Sequence, residues 1–372
     1  MKTILITGGA GFIGSHTADA LLAKGYRVRV LDMLDPQIHG PERRRPVYLD
    51  ERVELVEGDV RNREDVAGAI AGVDAVFHCA ALTGVGQSMY DIHSYCDVNV
   101  NGTAMLLDVL ANSAHRVKKV VLSSSRAVYG EGAYDCGKCG TVFPPPRTRA
   151  QLERHEWQMA CPVCKGPLDA RATGEEKPLA PVSVYALTKK MQEELFGVFS
   201  AAYGIPCVLL RYFNVYGIRQ AINNPYTGIG AIFTNRALAG HDIFIYEDGE
   251  PIRDFVNVRD VVQANLLALE NERANGGIFN IGTGKKLTVL DLARVIKEKL
   301  QSPVELKFTG QFRIGDIRDC YADLARSREV LGYRPLVDFT DGVDELIAWA
   351  KGEAVVDRST EAEQALRKRK LV

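Results

Sequence analysis

The sequence predicts an α/β protein built on a doubly wound parallel sheet, with a smaller α/β lobe and a cysteine-rich insert. Short apolar runs alternate with helical stretches through the first half, and a glycine-rich turn follows the first run. Past about Gly217, loops rich in Pro and Gly become more frequent. This alternation is typical of βαβ units and a parallel sheet. With 372 residues, 46% hydrophobic content and a net charge of -1, the chain can bury a large core and has no basic excess for nucleic acid.

Apolar runs rich in β-branched residues predict strands at residues 4–7, 27–31, 53–56, 75–78, 120–123 and 208–212. Helical periodicity predicts helices at 14–24, 231–239, 261–271, 289–299 and 340–351. We expect residues 1–130 and 175–215 to form the sheet domain. Residues 216–352 are expected to form the smaller lobe over the carboxyl ends of the strands, with segments that return to the core. The polar residues 353–372 are predicted to be a solvated tail or a surface helix.

The glycine-rich turn connects the first predicted strand to the first predicted helix. Its glycines are Gly8, Gly11 and Gly14, with Phe12 and Ile13 between the last two. Small residues let the backbone approach a pyrophosphate, whose charge is favoured at a helix N-terminus, so the turn predicts a Rossmann dinucleotide site. Asp32 ends the next strand and is placed to accept hydrogen bonds from the adenosine ribose. Its charge favours NAD over NADP, although Arg27 and Arg29 lie nearby and leave NADP open.

Tyr185 and Lys189 lie four residues apart and therefore share one helical face. The ammonium is expected to lower the pKa of the phenol and make it a usable base near neutrality. Ser125 closes a run of three serines and is placed to polarise the oxygen of a carbinol or carbonyl group. A Tyr-x-x-x-Lys spacing alone is also typical of a solvated face. Together with the glycine turn, in this order, the motifs predict hydride chemistry on a secondary alcohol.

These motifs, which extend to about Asp323, make the sequence resemble the extended short-chain dehydrogenase/reductase family, and in particular its sugar-nucleotide epimerases. The resemblance implies bound NAD, and it implies further cofactor contacts from Asp59, Val60, Ala80, Ala81, Asn99 and Lys189. For Asn99 the alternative is an amide that caps local backbone. One departure is Thr83, where many galactose epimerases carry a lysine.

The same resemblance implies the reaction. Dehydratases and decarboxylases of the family carry an acidic residue two places after the catalytic Ser or Thr, but this chain has Ala127 there. Simple oxidation and re-reduction at C4 by Tyr185, Ser125 and NAD is therefore favoured. The matching substrate anchors are Asn214, Arg253 and Arg313, since the arginine fork suits phosphate. Either arginine could instead form a surface ion pair.

The substrate is implied to be a nucleotide-diphosphate sugar. The cysteine insert and the segment 214–219 resemble most nearly bacterial epimerases that convert dTDP-L-rhamnose to dTDP-6-deoxy-L-talose. Other 4-epimerases, on UDP-hexoses, UDP-uronic acids or their N-acetyl forms, remain open. A 4-keto-sugar reductase is the alternative enzyme, and a retired enzyme that senses NAD or binds RNA is the alternative of another class.

Two Cys-x-x-Cys pairs interrupt the family pattern between residues 131 and 174. The pairs are Cys136 with Cys139 and Cys161 with Cys164. Four thiolates in such pairs predict a structural zinc site of the ribbon type, with disulfides as the alternative in an oxidising compartment. The insert could rim the active site, contact a second subunit or be a neutral surface insertion. The other cysteines, Cys79, Cys96, Cys207 and Cys320, are predicted to be buried thiols.

The chain shows neither a cleavable signal pattern nor an apolar run of bilayer length. We therefore expect a cytoplasmic protein without a membrane partner, and we expect no nucleic-acid partner. The family resemblance implies a homodimer.

Overall fold

The computed structural model describes residues 1–354 and 356–372. The strands are β1 Thr3–Thr7, β2 Arg27–Asp32, β3 Glu54–Glu57, β4 Ala75–His78, β5 Val120–Ser125, β6 Ala133–Cys136, β7 Gly140–Val142, β8 Asp169–Arg171, β9 Cys207–Tyr212, β10 Asn214–Tyr216, β11 Ile243–Ile245, β12 Ile252–Arg253, β13 Phe255–Asn257, β14 Ile278–Ile281, β15 Leu287–Thr288 and β16 Leu306–Phe308. The α-helices are α1 Phe12–Ala23, α2 Pro36–His39, α3 Arg63–Ile70, α4 Val85–Ser88, α5 Ile92–Tyr95, α6 Gly102–Asn112, α7 Arg149–Glu153, α8 Val184–Tyr203, α9 Ile229–Leu238, α10 Val258–Glu270, α11 Val289–Leu300, α12 Phe339–Gly352 and α13 Ser359–Arg367.

The main sheet has seven parallel strands in the order β14-β9-β5-β4-β1-β2-β3. The order reverses between β1 and β4, which is the position where such sheets open a crevice for ligands. The six predicted strands are all present, with each end within two residues of its predicted position. The sequence prediction missed the seventh strand, β14, which pairs with β9 and comes from the second half of the chain.

Helices flank both faces of this sheet. The longest, α8, begins where the Ser183 side chain accepts a hydrogen bond from the backbone N–H of Ala186, and it ends at Gly204 in the left-handed conformation. Phe196 and Phe199 of this helix pack with Leu106 of α6 and Val120 of β5. The burial of α8 fixes the direction of its first turn, which carries Tyr185.

The smaller lobe lies over the carboxyl ends of the strands and has its own core. It pairs β10 with β13 and β11 with β16 in parallel, and β12 with β15 antiparallel. The helices predicted in residues 216–352 correspond to α9, α10, α11 and α12, of which α10 returns to the main core beside α1. Phe233, Leu292 and Leu346 join α9, α11 and α12 in one apolar cluster.

The insert folds as a three-stranded antiparallel sheet in the order β7-β6-β8. Its small core contains Tyr134, Val142 and Met159 together with two of the four clustered cysteines. The insert therefore has a defined fold, in addition to its cysteine pairs.

The polar C-terminal stretch forms the surface helix α13, which packs onto the smaller lobe and lines the cavity between it and the sheet. Ala362 and Leu366 are buried on its inner face. Asp357, just before the helix, pairs with Arg236 of α9 at 3.1 Å. Of the two alternatives predicted from sequence, a solvated tail or a surface helix, the helix is present. The sequence did not predict that this helix would line the cavity.

Candidate active site

A cavity of about 590 Å³ lies between the carboxyl ends of the main sheet and the smaller lobe. Its walls include the glycine turn after β1, the ends of β2, β4, β5 and β9, the start of α8, and the helices α9 and α13. Its lining includes Asp32 and Asp59 beside the main sheet and Arg253 and Arg313 of the smaller lobe, and the part beside these two arginines is termed the far end. The topology therefore brings together residues that are distant in sequence.

The glycine turn forms a tight cradle on the floor of the cavity. Gly8 has φ +68°, and a Cβ atom there would lie 2.7 Å from the backbone N and Cα of Ala80. A Cβ on Gly14 would lie 2.5 Å from the carbonyl oxygen of Gly8. Side chains at these positions would collide with the backbone after β4 and with the turn itself, so only glycine allows the turn to close this tightly. Gly11, Phe12, Ile13 and Ala81 complete this wall.

Asp32 lies at the cavity wall with its carboxylate held by backbone. One oxygen accepts from the N–H of Ala10 and the other from the N–H of Leu34, each at 2.9 Å. The Arg29 guanidinium turns away from the cavity and donates to the carbonyl oxygens of Ala69 and Ala71 at 2.9 and 2.8 Å. Because Arg29 is engaged there, it does not offset the charge of Asp32, and the site fits NAD better than NADP.

Asp59 and Val60 both line the cavity beyond Asp32. The carboxylate of Asp59 accepts two hydrogen bonds of 3.0 Å from the Nε of Arg61, and this holds the loop after β3. Asn99 lies behind the wall and is completely buried. Its amide oxygen accepts from the N–H of Leu82 at 2.8 Å, and its amide nitrogen donates to the Thr188 hydroxyl at 2.9 Å. The hydrogen bonds of Asn99 therefore match the alternative of an amide that caps backbone.

Tyr185, Ser125 and Lys189 converge where β5 ends beside α8. The phenol of Tyr185 lies close enough to Ser125 for that hydroxyl to act on its pKa, and the Oγ of Ser125 accepts from the N–H of Ala127 at 3.1 Å. The ammonium of Lys189 donates to the carbonyl oxygen of Ser123 at 2.9 Å, and its side chain is buried. All three side chains line the cavity, so a bound alcohol can reach both the phenol and the serine hydroxyl.

Burial governs the titration of this group. Burial raises the pKa of Tyr185, whereas hydrogen bonding by Ser125 and the charge of Arg126 lower it by smaller amounts. This direction is opposite to the lowering expected from the Tyr-x-x-x-Lys spacing. Burial likewise lowers the pKa of Lys189 to about 8, with Cys79 and Glu193 opposing it. The site as folded thus favours a neutral phenol, and positive charge in the cavity would favour the phenolate.

Three predicted substrate anchors lie at the far end of the cavity. Asn214 lines it, and its Oδ1 is buried with no hydrogen-bond partner among the described residues. The Nε of Arg313 is likewise buried and unpartnered, while its guanidinium lies 4.8 Å from the ring centroid of Tyr246. Arg253 donates to the carbonyl oxygens of Ile317 and Arg318 at 2.9 and 2.8 Å, so backbone fixes its orientation. Neither arginine forms an ion pair within the part of the chain that the structure describes.

Sequence reasoning missed two groups that line the cavity. Arg126 directly follows Ser125, and its adjacency to the serine motif was the available signal. Leu366 and Ala362 of α13 were missed as well, although their spacing of four residues marks one apolar helix face. Cys320, by contrast, is buried behind Thr173 with a sulfur–oxygen distance of 3.8 Å.

The four insert cysteines form one cluster away from the cavity. Their sulfur atoms all lie within 4.8 Å of one another, and those of Cys136 and Cys164 are 3.5 Å apart. A tetrahedral zinc with bonds of about 2.3 Å requires sulfur separations of about 3.8 Å. The backbone N–H groups of Cys164 and Val163 lower the pKa of the Cys161 thiol to about 6, against the effect of burial. The donor set therefore fits zinc. All eight cysteines are free, and Cys96 is exposed, so its predicted burial was wrong.

A glycine cradle at the carboxyl edge of a parallel sheet, joined to a Tyr, Lys and Ser cluster, defines an enzyme that uses a nicotinamide dinucleotide on a hydroxyl-bearing substrate. A model of the NAD dependent epimerase/dehydratase family matches residues 4–150 and 162–282, and the chain belongs to this family. It is an NAD-dependent nucleotide-sugar epimerase, an isomerase.

Individual relatives agree with this assignment. The chain is 40% identical over 358 residues to a dTDP-L-rhamnose 4-epimerase of Burkholderia thailandensis, covering 95% of this chain and 96% of that one. It is similar to the UDP-glucose 4-epimerase of Thermotoga maritima solved with UDP-glucose, with a TM-score of 0.75, 32% identity and coverage of 94% and 99%. It is also similar to the UDP-glucuronic acid 4-epimerase of Bacillus cereus solved with UDP-glucuronic acid and NAD, with a TM-score of 0.77, 26% identity and coverage of 94% and 99%.

Among the described residues, no helix combines the length and the apolar character needed to cross a bilayer.

Proposed function

We propose that this protein is a 4-epimerase that inverts the C4 hydroxyl of a nucleotide-diphosphate sugar by transient oxidation, with dTDP-L-rhamnose as the substrate. The observation that carries the proposal is the convergence of Tyr185, Ser125 and Lys189 in one cavity with Arg253 and Arg313. The first three are groups for alcohol chemistry, whereas the arginines suit a diphosphate. The 40% identity to a dTDP-L-rhamnose 4-epimerase over 95% of this chain supports the choice of sugar.

Each side chain has a distinct task. Tyr185 takes the proton from the C4 hydroxyl and later returns one to the same oxygen. Ser125 donates a hydrogen bond to that oxygen as its charge develops. Lys189 holds the end of β5 through the carbonyl of Ser123 and supplies positive charge near the phenol. The glycine turn and Asp32 would hold NAD, which when bound would supply the hydride acceptor and donor for oxidation and re-reduction at C4.

The far end of the cavity anchors the nucleotide while the sugar turns over. Arg313 offers an unpartnered buried Nε, and Arg253 is fixed by the carbonyl oxygens of Ile317 and Arg318. Asn214 offers an unpartnered Oδ1 that can accept a hydrogen bond. Ala127, which follows the serine by two residues, supplies no acid for elimination or decarboxylation. Inversion at C4 is the reaction that these groups support best.

An isotope experiment tests this function. dTDP-L-rhamnose deuterated at C4 is incubated with the purified enzyme without added NADH, and the product is analysed by NMR. We expect dTDP-6-deoxy-L-talose with the deuterium still on C4, because the hydride returns to the carbon it left. No conversion of this sugar, with oxidation of added NADH in proportion to product when a 4-keto nucleotide sugar is supplied, would instead identify a 4-keto-sugar reductase. No conversion of this sugar, with conversion of a UDP-hexose, would correct the substrate.

A structural zinc at Cys136, Cys139, Cys161 and Cys164 is the second part of the proposal. Support comes from the compact tetrad of free sulfurs and the backbone N–H groups that lower the pKa of the Cys161 thiol. Protein made under reducing, metal-replete conditions should carry about one zinc per chain, and the double substitution of Cys161 and Cys164 by serine should release it. Cys96→Ser, at an exposed cysteine outside the cluster, is the matched control and should keep the metal. Disulfides among the four cysteines would contradict the assignment.

The homodimer predicted from the resemblance has support on α8. Leu187, Met191 and Val198 are exposed apolar side chains on this helix, with fractional exposures of 46%, 39% and 73%. Their spacing places them on one face. Analytical ultracentrifugation should show a dimer for the wild type and a monomer for Val198→Glu. A dimer for both proteins would show that this face of α8 is not the interface.

A further inference from the structure

The insert with the four cysteines contacts the loop that carries the diphosphate end of the cavity. Arg147, within the insert, forms a bidentate ion pair with Glu247 through distances of 2.6 and 3.0 Å. Both side chains are buried, with exposures of 1% and 5%. Glu247 itself lines the cavity. Burying two charges is costly unless their geometry is well matched, so the pair fixes the position of the loop relative to the insert.

The ion pair with Arg147 holds Glu247 in an unfavourable backbone conformation. Glu247 has φ 54°, in the left-handed region that a non-glycine residue adopts only when its surroundings enforce it. Its backbone N–H donates to the carbonyl oxygen of Gln311 at 2.8 Å, two residues before Arg313. Its neighbour Tyr246 lies under the guanidinium of Arg313. The conformation of this loop therefore determines where Arg313 points.

A second chain of contacts leads from the same loop to Arg253. Asp248 accepts two hydrogen bonds from Arg318 at 2.6 and 2.8 Å, and Arg318 also approaches Glu247 at 3.4 Å. The carbonyl oxygen of Arg318 then accepts from Arg253. If Arg147 were lost, Arg318 would be the cation left in contact with Glu247. Arg318 would be drawn from Asp248, and the carbonyl groups that orient Arg253 would move.

The insert also holds this region from its other end. The carboxylate of Glu131 accepts from the backbone N–H of Arg318 at 2.6 Å and from the hydroxyl of Tyr134 at 3.1 Å. Tyr134 lies on β6, two residues before Cys136, and it belongs to the small core of the insert. A change in the cysteine cluster is therefore transmitted to Arg318 through one short strand.

From these contacts we infer that the four-cysteine insert positions the diphosphate-binding arginines, with Arg147 as its positioning residue, so that the metal controls affinity for the nucleotide sugar. The inference rests on the diphosphate site and the metal site proposed above. Both chains of contacts end at the arginines and bypass Tyr185 and the glycine turn, which predicts that NAD binding and the hydride step are little affected.

The test measures binding of dTDP to the NAD-loaded enzyme by calorimetry, together with KM and kcat. Arg147→Met should raise the Kd of dTDP on the order of tenfold and raise KM in parallel, with kcat changed by less than about twofold. Arg147→Lys keeps the charge but loses the two parallel hydrogen bonds of the guanidinium, so its Kd for dTDP should lie between those of the wild type and Arg147→Met. The double serine variant at Cys161 and Cys164 should match Arg147→Met. Combining all three substitutions should weaken binding little further, since they act along one path.

Arg171→Met is the matched control, because Arg171 lies in the same insert but pairs with Asp135 on the surface, with exposures of 53% and 48%. Its Kd should equal that of the wild type. Retained NAD and an unchanged melting profile of the main domain show that each variant is folded. An unchanged Kd in Arg147→Met or in the metal-free protein, or an equal loss in Arg171→Met, would overturn the inference. Failure of the proposed function is distinguishable, because it would appear as absent C4 inversion by the wild type.

Discussion

Replacing Ser125 by alanine removes a hydroxyl that lines the cavity together with Tyr185 and that, in the proposed reaction, donates to the C4 oxygen. The Oγ of Ser125 accepts from the N–H of Ala127 at 3.1 Å, so backbone holds it in place before substrate binds. Loss of one positioned donor to a developing oxyanion costs about 10²–10³-fold in kcat, or about 3–4 kcal/mol. Because the contact strengthens in the transition state, we expect kcat to fall by that factor with KM nearly constant.

The same substitution also removes the side-chain cap of the short 3₁₀ turn Arg126–Tyr129. Caps of this kind contribute about 1 kcal/mol to stability. Asp338→Ala is the matched control, because Asp338 caps α12 by accepting from the N–H of Thr340 at 2.9 Å and lies outside the cavity. It should lower the melting temperature by a similar small amount and leave kcat unchanged.

The assay is the initial rate of epimerisation at saturating nucleotide sugar, with NAD content measured in the same samples. Ser125→Thr keeps the hydroxyl and should retain most of the rate. A folded, NAD-loaded Ser125→Ala enzyme with a kcat within about threefold of wild type would show that Ser125 does not contact the reacting oxygen. A loss of kcat in Asp338→Ala equal to that in Ser125→Ala would attribute the effect to stability.

Tyr185→Phe should keep NAD, as judged by bound-cofactor absorbance, and lose nearly all turnover because the proton acceptor is gone; near-normal turnover would mean that another group is the base. Burial lowers the pKa of Lys189 to about 8, so above that pH the unfolded chain holds a proton that the folded protein has released. The unfolding free energy of the wild type relative to Lys189→Met, from urea titrations, should therefore rise between about pH 8 and pH 10, and a flat difference would contradict the shift. Leu366→Ala should raise KM for the nucleotide sugar several-fold by loosening α13, because a buried leucine contributes about 1.5–3 kcal/mol. The control Leu336→Ala, at a leucine that is 76% exposed, should not change KM.

Local patterns were sufficient for most of the main sheet. The runs at 4–7 and 120–123 are nearly all apolar or small, and such runs form buried parallel strands whatever their partners are. The strand β14 was not predicted because it is short and contains the polar residue Asn280. That amide is buried only because Tyr129 donates to its oxygen at 2.7 Å and its nitrogen donates to the Thr173 carbonyl at 2.8 Å. Because Thr173 and Tyr129 lie 107 and 151 residues away from Asn280, a local sequence pattern cannot predict these hydrogen bonds.

Charged residues were predicted less well, because their role depends on what faces them. Arg29 was a candidate for a phosphate, but backbone carbonyl groups and Glu54 hold it outside the cavity. Nothing in the local sequence assigned a role to Arg147, and the fold gives it a buried partner 100 residues away. The direction of the Tyr185 pKa was also misjudged, since spacing along a helix does not report burial.

The sequence by itself determined the chemistry that this protein can perform. The glycine turn, Asp32, the serine run and the Tyr-x-x-x-Lys pair each act through local geometry, which short stretches of chain encode. Tertiary structure decided the rest: that α13 closes the cavity, that β14 completes the sheet, and that the insert meets Glu247. These features depend on contacts between distant segments. Their energy comes from burial and from matched charges, which only the folded chain brings together.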